Sequence, residues 1–167
     1  MNKGLYVVMG VSGSGKTVIG SALARSLGVE FVEGDDFHPE ENVRRMASGI
    51  ALTDEDREPW LRSIAARLRA AIDAGTGLVV SCSALKRSYR DLLRAEAGEV
   101  RFIFLKGTRA LIGERLATRS GHFMPSSLLD SQFFALEEPG PDESVWECDV
   151  KESPADLVTA LVGRAST

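Results

Sequence analysis

Two hydrophobic rhythms divide the chain. Leu5-Tyr6-Val7-Val8-Met9, Leu78-Val79-Val80-Ser81-Cys82 and Val100-Arg101-Phe102-Ile103-Phe104-Leu105 are short apolar runs with the length of buried strands. Val29-Glu30-Phe31-Val32-Glu33 reads as another strand, and Ser144-Val145-Trp146-Glu147-Cys148-Asp149-Val150 alternates like one. Between them apolar residues recur at helical spacing. Val18 to Ala24, with Leu27, predicts a helix directly after the first strand. Pro39 at a first helical position, followed by Glu40 and Glu41, predicts a helix carrying Val43 and Met46 that stops near Gly49. A polar turn, Thr53 to Glu58, then leads to a helix opening at Pro59-Trp60. Leu61, Ile64, Leu68 and Ile72 mark its apolar stripe, and Gly75 and Gly77 end it. Lys86 to Ala97 predicts a further helix, and Leu111, Ile112 and Leu116 another. Ser153 as N-cap, Pro154 and Asp156 start the last one.

The stretch from Arg119 to Pro141 breaks this order. Gly121, Pro125, Pro139, Gly140 and Pro141 punctuate it, yet Leu128, Leu129, Phe133, Phe134 and Leu136 are apolar. It reads as an excursion, a lid at about 120–138 containing one short helix. The rest is an α/β pattern: a five-stranded parallel sheet with helices on both faces, a three-layer sandwich in one domain spanning 1–167. Ligands of such sheets bind at the carboxyl ends of the strands, so the loops after Met9, Glu33, Cys82 and Leu105 are expected to converge on one cleft.

One of those loops carries a specific chemistry. Gly10-Val11-Ser12-Gly13-Ser14-Gly15-Lys16-Thr17 matches GxxxxGKT between a predicted strand and a predicted helix, the context of a phosphate-binding P-loop. Gly10, Ser12, Gly13, Ser14 and Gly15 let backbone N–H groups turn inward on one anion, and the helix N-terminus adds partial positive charge. Lys16 reaches β- and γ-phosphates, and the Thr17 hydroxyl can sit on Mg²⁺. The expectation is binding of a nucleoside triphosphate. No Asn-Lys-x-Asp base-reading motif of a GTPase is present, and Val79-Val80-Ser81-Cys82 offers no Walker-B aspartate. Metal binding therefore falls on Thr17, the phosphates, water and Asp35.

Charge and composition narrow the partners. With 44% apolar and 26% charged residues the chain has an ordinary globular composition. A net charge of −4 gives no basic field for nucleic acid or an anionic membrane. No apolar run approaches the ~20 residues of a membrane span, and the N-terminus enters the first strand directly, so the expectation is a cytoplasmic protein. Cys82 and Cys148 match no metal-ligand spacing and read as buried free thiols.

Against that acidic background, cationic side chains gather in the loops expected to converge: His38, Arg45, Arg57, Lys86, Arg87 and Arg90. Together they suggest a second anion site, although each alone reads more readily as a solvated surface charge. Asp35 and Asp36, just past the second strand, can take a hydroxyl proton, hold Mg²⁺ through water, or simply start a helix. Arg115 and Arg119, spaced i,i+4 at the base of the excursion, can reach a triphosphate. His122 reads as a packing or hydrogen-bonding residue of the excursion.

Together these motifs resemble the gluconokinase family of small P-loop carbohydrate kinases. The resemblance runs from GVSGSGKT through Gly34-Asp35-Asp36-Phe37-His38-Pro39, Asn42, Met46 and Gly49, and LTDEDREPWL at 52–61. It continues in Cys82-Ser83-Ala84-Leu85-Lys86, Tyr89-Arg90-Asp91, RSGHFMPSSLLDSQ at 119–132 and Leu136 to Pro139. Thr17 and Ala51 are small departures. The resemblance implies transfer of the ATP γ-phosphoryl, with Mg²⁺, to the 6-hydroxyl of D-gluconate, and is compatible with a homodimer. It implies Lys16, Asp35 and Arg119 as catalytic residues, and Arg115 and Arg119 on the nucleotide. Asp35, His38, Arg45, Arg57, Lys86 and Arg90 would line the acceptor subsite, with Arg57 the first choice for the carboxylate because its planar fork pairs bidentately. A shikimate or nucleoside monophosphate kinase would share the loop and the excursion without DREPWL and CSALK. A non-catalytic nucleotide switch would need no acceptor subsite.

Overall fold

Strand residues alternate between two cores, and this alternation builds the molecule. The computed structural model describes residues 2–118 and 126–167. Five strands, β1 (Leu5–Met9), β2 (Glu30–Glu33), β3 (Leu78–Ser81), β4 (Arg101–Lys106) and β5 (Trp146–Asp149), form one parallel sheet in the order β2-β3-β1-β4-β5. Leu5, Val7 and Met9 of β1, with Phe102 and Phe104 of β4, face a core closed by two helices, α3 (Asp54–Ala74) and α4 (Arg87–Ala97). Tyr6 and Val8, with Ile103 and Leu105, face the opposite core, closed by α1 (Lys16–Leu27) and α7 (Pro154–Ala165). Because both faces are covered, the central strands carry no polar face, which explains their unbroken apolar runs.

Three further helices complete the chain: α2 (Glu40–Ala47), α5 (Arg109–Thr118) and α6 (Ser126–Ala135). Leu129 of α6 and Ile112 of α5 pack with Val11 and Leu85 into a third, smaller core. The predicted excursion is thus tied to the phosphate loop through apolar contact. Its first part, with Arg119 and His122, lies outside the described residues.

Two local expectations are corrected. The turn Thr53 to Glu58 is not a turn: α3 opens at Asp54, with Thr53 as N-cap in a reciprocal capping box with Asp56. Pro59 lies inside the helix, where it forgoes one hydrogen bond to the exposed Glu55. The sequence Thr-x-x-Asp carried the cap signal, and the proline masked it. Gly34 to Phe37 form a short 3₁₀ turn, and Pro39 after it is the N-cap of α2 rather than its first residue. Gly34 is compelled by close approach, because a Cβ there would lie 1.9 Å from the Ser81 carbonyl oxygen. Its N–H donates to Ser81 Oγ at 3.1 Å, and its carbonyl accepts from Trp60 Nε1 at 2.8 Å.

Candidate active site

The phosphate loop runs from β1 into α1 at the centre of the sheet. Gly10 N–H donates to the Ser83 carbonyl at 3.2 Å, so the loops after β1 and β3 meet here as expected. Gly13 has a φ of +82°, and a Cβ on it would lie 2.6 Å from Leu116 of α5, so α5 presses directly on the loop. Lys16 Nζ donates to the carbonyls of Gly10 and Val11, each at 3.0 Å. Its ammonium is therefore folded back over the loop it would serve. Ser14 Oγ is buried with no hydrogen-bond partner among the described residues, an unfilled polar position that a phosphate oxygen would satisfy.

Thr17 Oγ1 donates to one oxygen of Glu33, and Ser81 Oγ donates to the other. A carboxylate from the end of β2 is thereby held against the first turn of α1. Sequence reading sought an acidic residue at the end of β3 and missed it. The end of β3 instead supplies a hydroxyl that orients a carboxylate from its neighbour, with Glu33 paired in register to Ser81. Nothing in the linear sequence marks that pairing.

Asp35 follows Gly34 on the 3₁₀ turn. Its side chain touches solvent, yet protein crowds the carboxyl and this desolvation raises its pKa above the ordinary 3.8. The Lys16 ammonium opposes the rise, while Glu33 and Asp36 add to it. Asp35, Lys16 and Glu33 are thus electrostatically joined across the loops of two strands.

Beyond Asp35 lies a polar and aromatic group built from the starts of α3 and α4. Arg57 donates to Tyr89 Oη at 2.8 Å and lies over the Tyr89 ring at 5.5 Å. Tyr89 Oη donates to Asp54, which also accepts from Lys86 Nζ at 3.0 Å. Arg45 pairs with Asp56 at 3.5 Å, and Asn42 links the Asp56 carbonyl at 2.8 Å to His38 Nδ1 at 3.3 Å. His38 stacks on Trp60 at 4.1 Å between ring centres. Burial, and then the charge of Arg57, push its pKa down to about 4. It is consequently a neutral imidazole near pH 7 and not one of the cations.

Arg90 does not join this group, which corrects the expectation. Its side chain is 0% exposed. Its guanidinium donates to Glu143 at 2.7 and 3.1 Å and to the carbonyls of Ala84, Leu85 and Glu137. With those donors spent on protein acceptors, it braces the loop after β3 against the chain leaving α6. Arg115 instead lines a pocket of about 190 Å³ beside the phosphate loop, walled by Gly13, Gly15, Val150, Pro154 and Leu157. The start of α7, silent in the sequence reading, is thereby placed next to the nucleotide loop.

A family profile described as an AAA domain matches residues 5–139. A gluconokinase of Gluconobacter oxydans is 46% identical over 93% of this chain and 88% of its own length. The crystal structure of a gluconokinase from Sinorhizobium meliloti superposes with a TM-score of 0.89 at 48% identity, covering 98% of this chain and 92% of that one. The chain belongs to the gluconokinase family. An unliganded sugar kinase from Janibacter sp. agrees, with a TM-score of 0.91 and 49% identity over 96% of this chain and 92% of its own. For a member of the gluconokinase family, the α3 and α4 starts that carry Arg57 and Lys86 are the natural place to look for the acceptor. Tyr89, which touches both Arg57 and Lys86, was read in sequence only as part of a motif.

Proposed function

We propose that the protein transfers the γ-phosphoryl group of ATP to the 6-hydroxyl of D-gluconate, giving 6-phosphogluconate and ADP. The observation that carries this reading is Asp35, a carboxylate coupled to Lys16 on one side and close in sequence to the His38–Arg57 group on the other. Family membership fixes the class of acceptor that such a site would take.

The roles follow from chemistry. Arg57 and Lys86 present positive charge to the gluconate carboxylate, and Arg57 can pair with it bidentately. Tyr89 holds Arg57 through its hydroxyl, and Asp54 holds Lys86, which lowers the entropic cost of presenting them. Arg45 and the neutral His38 face the hydroxyls of the polyol. Asp35 accepts the proton of the attacking hydroxyl while that oxygen bonds the γ-phosphorus and the bond to the β,γ-bridging oxygen breaks. Desolvation raises the Asp35 pKa above that of an ordinary aspartate, which makes its carboxylate a stronger base. Lys16 moves from the Gly10 and Val11 carbonyls to the phosphates, and Arg115 covers the nucleotide from α5. Arg119 belongs with it as a cation on the transferring group.

Thr17 and Asp35, with Glu33 held against Thr17, offer only oxygen atoms, the donor set Mg²⁺ prefers, and would hold the ion directly or through water. When bound there, Mg²⁺ compensates the charge on the β- and γ-phosphate oxygens. The test is ADP release from ATP and Mg²⁺ with gluconate, shikimate, AMP or no acceptor. Release that depends on gluconate supports the reading. Equal release without acceptor overturns it.

A further inference from the structure

Gln132 of α6 reaches across 120 residues of sequence to the phosphate loop. Its Oε1 accepts the Ser12 N–H at 2.7 Å, and its Nε2 donates to Ser12 Oγ at 3.1 Å. Only one amide orientation satisfies both bonds, since a backbone N–H must meet the carbonyl oxygen. The contact is not an isolated surface bond. Leu129, one turn earlier on α6, packs beside Val11, while Leu116 of α5 presses on Gly13. The three residues Val11, Ser12 and Gly13 are therefore gripped from outside, with the middle one held by its backbone and its hydroxyl together.

The place of that grip matters. The Lys16 ammonium lies on the carbonyls of Gly10 and Val11, the two residues just before Ser12, so the grip acts on the same stretch of loop that Lys16 touches. Just beyond the C-terminal end of α6, the Glu137 N–H donates to the Leu85 carbonyl at 2.8 Å, and Arg90 holds the Glu137 carbonyl at 2.9 Å. The last turn of α6 and the chain leaving it are thus tied to both the phosphate loop and the loop that carries Lys86.

We propose that Gln132 is a positioning residue for phosphoryl transfer: its two bonds to Ser12 set the relation of α6 to the phosphate loop and shield the γ-phosphoryl from water. Nothing in the linear motif assigns this role. The inference rests on the kinase reading above. Its consequence is a split between two fates of the same phosphoryl group, transfer to gluconate or transfer to water. Loss of the grip lowers the first and leaves or raises the second.

The experiment uses the full chain and four proteins: wild type, Gln132→Leu, Ser12→Ala and the double variant. Each is measured for kcat, KM for gluconate, ADP release without acceptor, and thermal midpoint. Wild type that shows no gluconate-dependent turnover refutes the functional reading itself, independently of the variants. Given wild-type turnover, Gln132→Leu is expected to lower kcat about tenfold, the scale of two lost hydrogen bonds, with KM for gluconate within about twofold. The share of turnover that goes to water should rise. Because both residues act through one contact, the double variant should be no worse than Gln132→Leu alone. Wild-type kcat and wild-type partition in Gln132→Leu would overturn the proposal, as would losses that multiply in the double variant. If Gln132→Leu does not fold, Gln132→Met supplies the same test with a more adaptable side chain.

Discussion

Asp35 and Asp36 are neighbours on one 3₁₀ turn, with different surroundings. Desolvation raises the Asp35 pKa, Glu33 and Asp36 add to the rise, and Lys16 opposes it, so Asp35 is the carboxylate tied electrostatically to the phosphate loop. Asp35→Asn is expected to cut kcat by roughly 10²-fold or more with ATP affinity little changed, the loss of a general base. Asp36→Asn should be milder. A dead Asp36→Asn beside an active Asp35→Asn would assign the base to the other carboxylate. In wild type, the acidic limb of kcat/KM should lie above the ordinary aspartate value of 3.8. Arg57 is tested by a change that keeps charge and removes shape. Arg57→Lys should raise KM for gluconate by about tenfold or more and leave KM for ATP nearly unchanged, since the fork to a carboxylate is lost. An unchanged KM for gluconate would make Arg57 a partner of Tyr89 alone.

The strands and most helices were legible because their burial is simple. Each central strand is covered on both faces, and α3 buries Leu61, Ile64 and Leu68 at helical spacing. What escaped notice depends on contacts between elements. Glu33 meets Thr17 of the phosphate loop with Ser81 opposite it in the sheet, and Gln132 meets Ser12 because α6 folds back on that loop. Arg90 was misread for the same reason. An arginine in a cationic stretch looks like a ligand group until Glu143, from beyond α6, is seen to pair with it. Burial alone would raise the Glu143 pKa, but hydrogen bonds from Arg90, Arg94 and the Gly140 N–H outweigh it and lower the value to about 2. Glu143→Gln leaves Arg90 buried without its countercharge, so unfolding free energy should fall by about 3–5 kcal/mol. Chemical denaturation of the variant checks this; a change below about 1 kcal/mol would mean that the carbonyls of Ala84, Leu85 and Glu137 suffice.

Acid should loosen the whole molecule in two stages. His38 has a folded pKa of about 4 against an ordinary 6.5, so the unfolded chain binds its proton first and stability falls as pH drops from 6.5 towards 4. Glu143 has a folded pKa of about 2 against an ordinary 4.5, so its stabilisation is present above 4.5 and is lost between 4.5 and 2. Thermal midpoints across this range should decline in both windows, and His38→Gln should remove the upper one. A midpoint that stays flat from pH 7 to 4.5 would contradict the burial of a neutral His38. The sheet brings phosphate loop, base and cationic group to one edge, and the central claim is that they act together on one primary hydroxyl. Phosphorus NMR of the product from ATP, Mg²⁺ and gluconate tests this most directly. One phosphate ester should form per ADP, its phosphorus coupled to the two protons of carbon 6. Inorganic phosphate as the main product, or an ester coupled to a single proton on a secondary carbon, would contradict it.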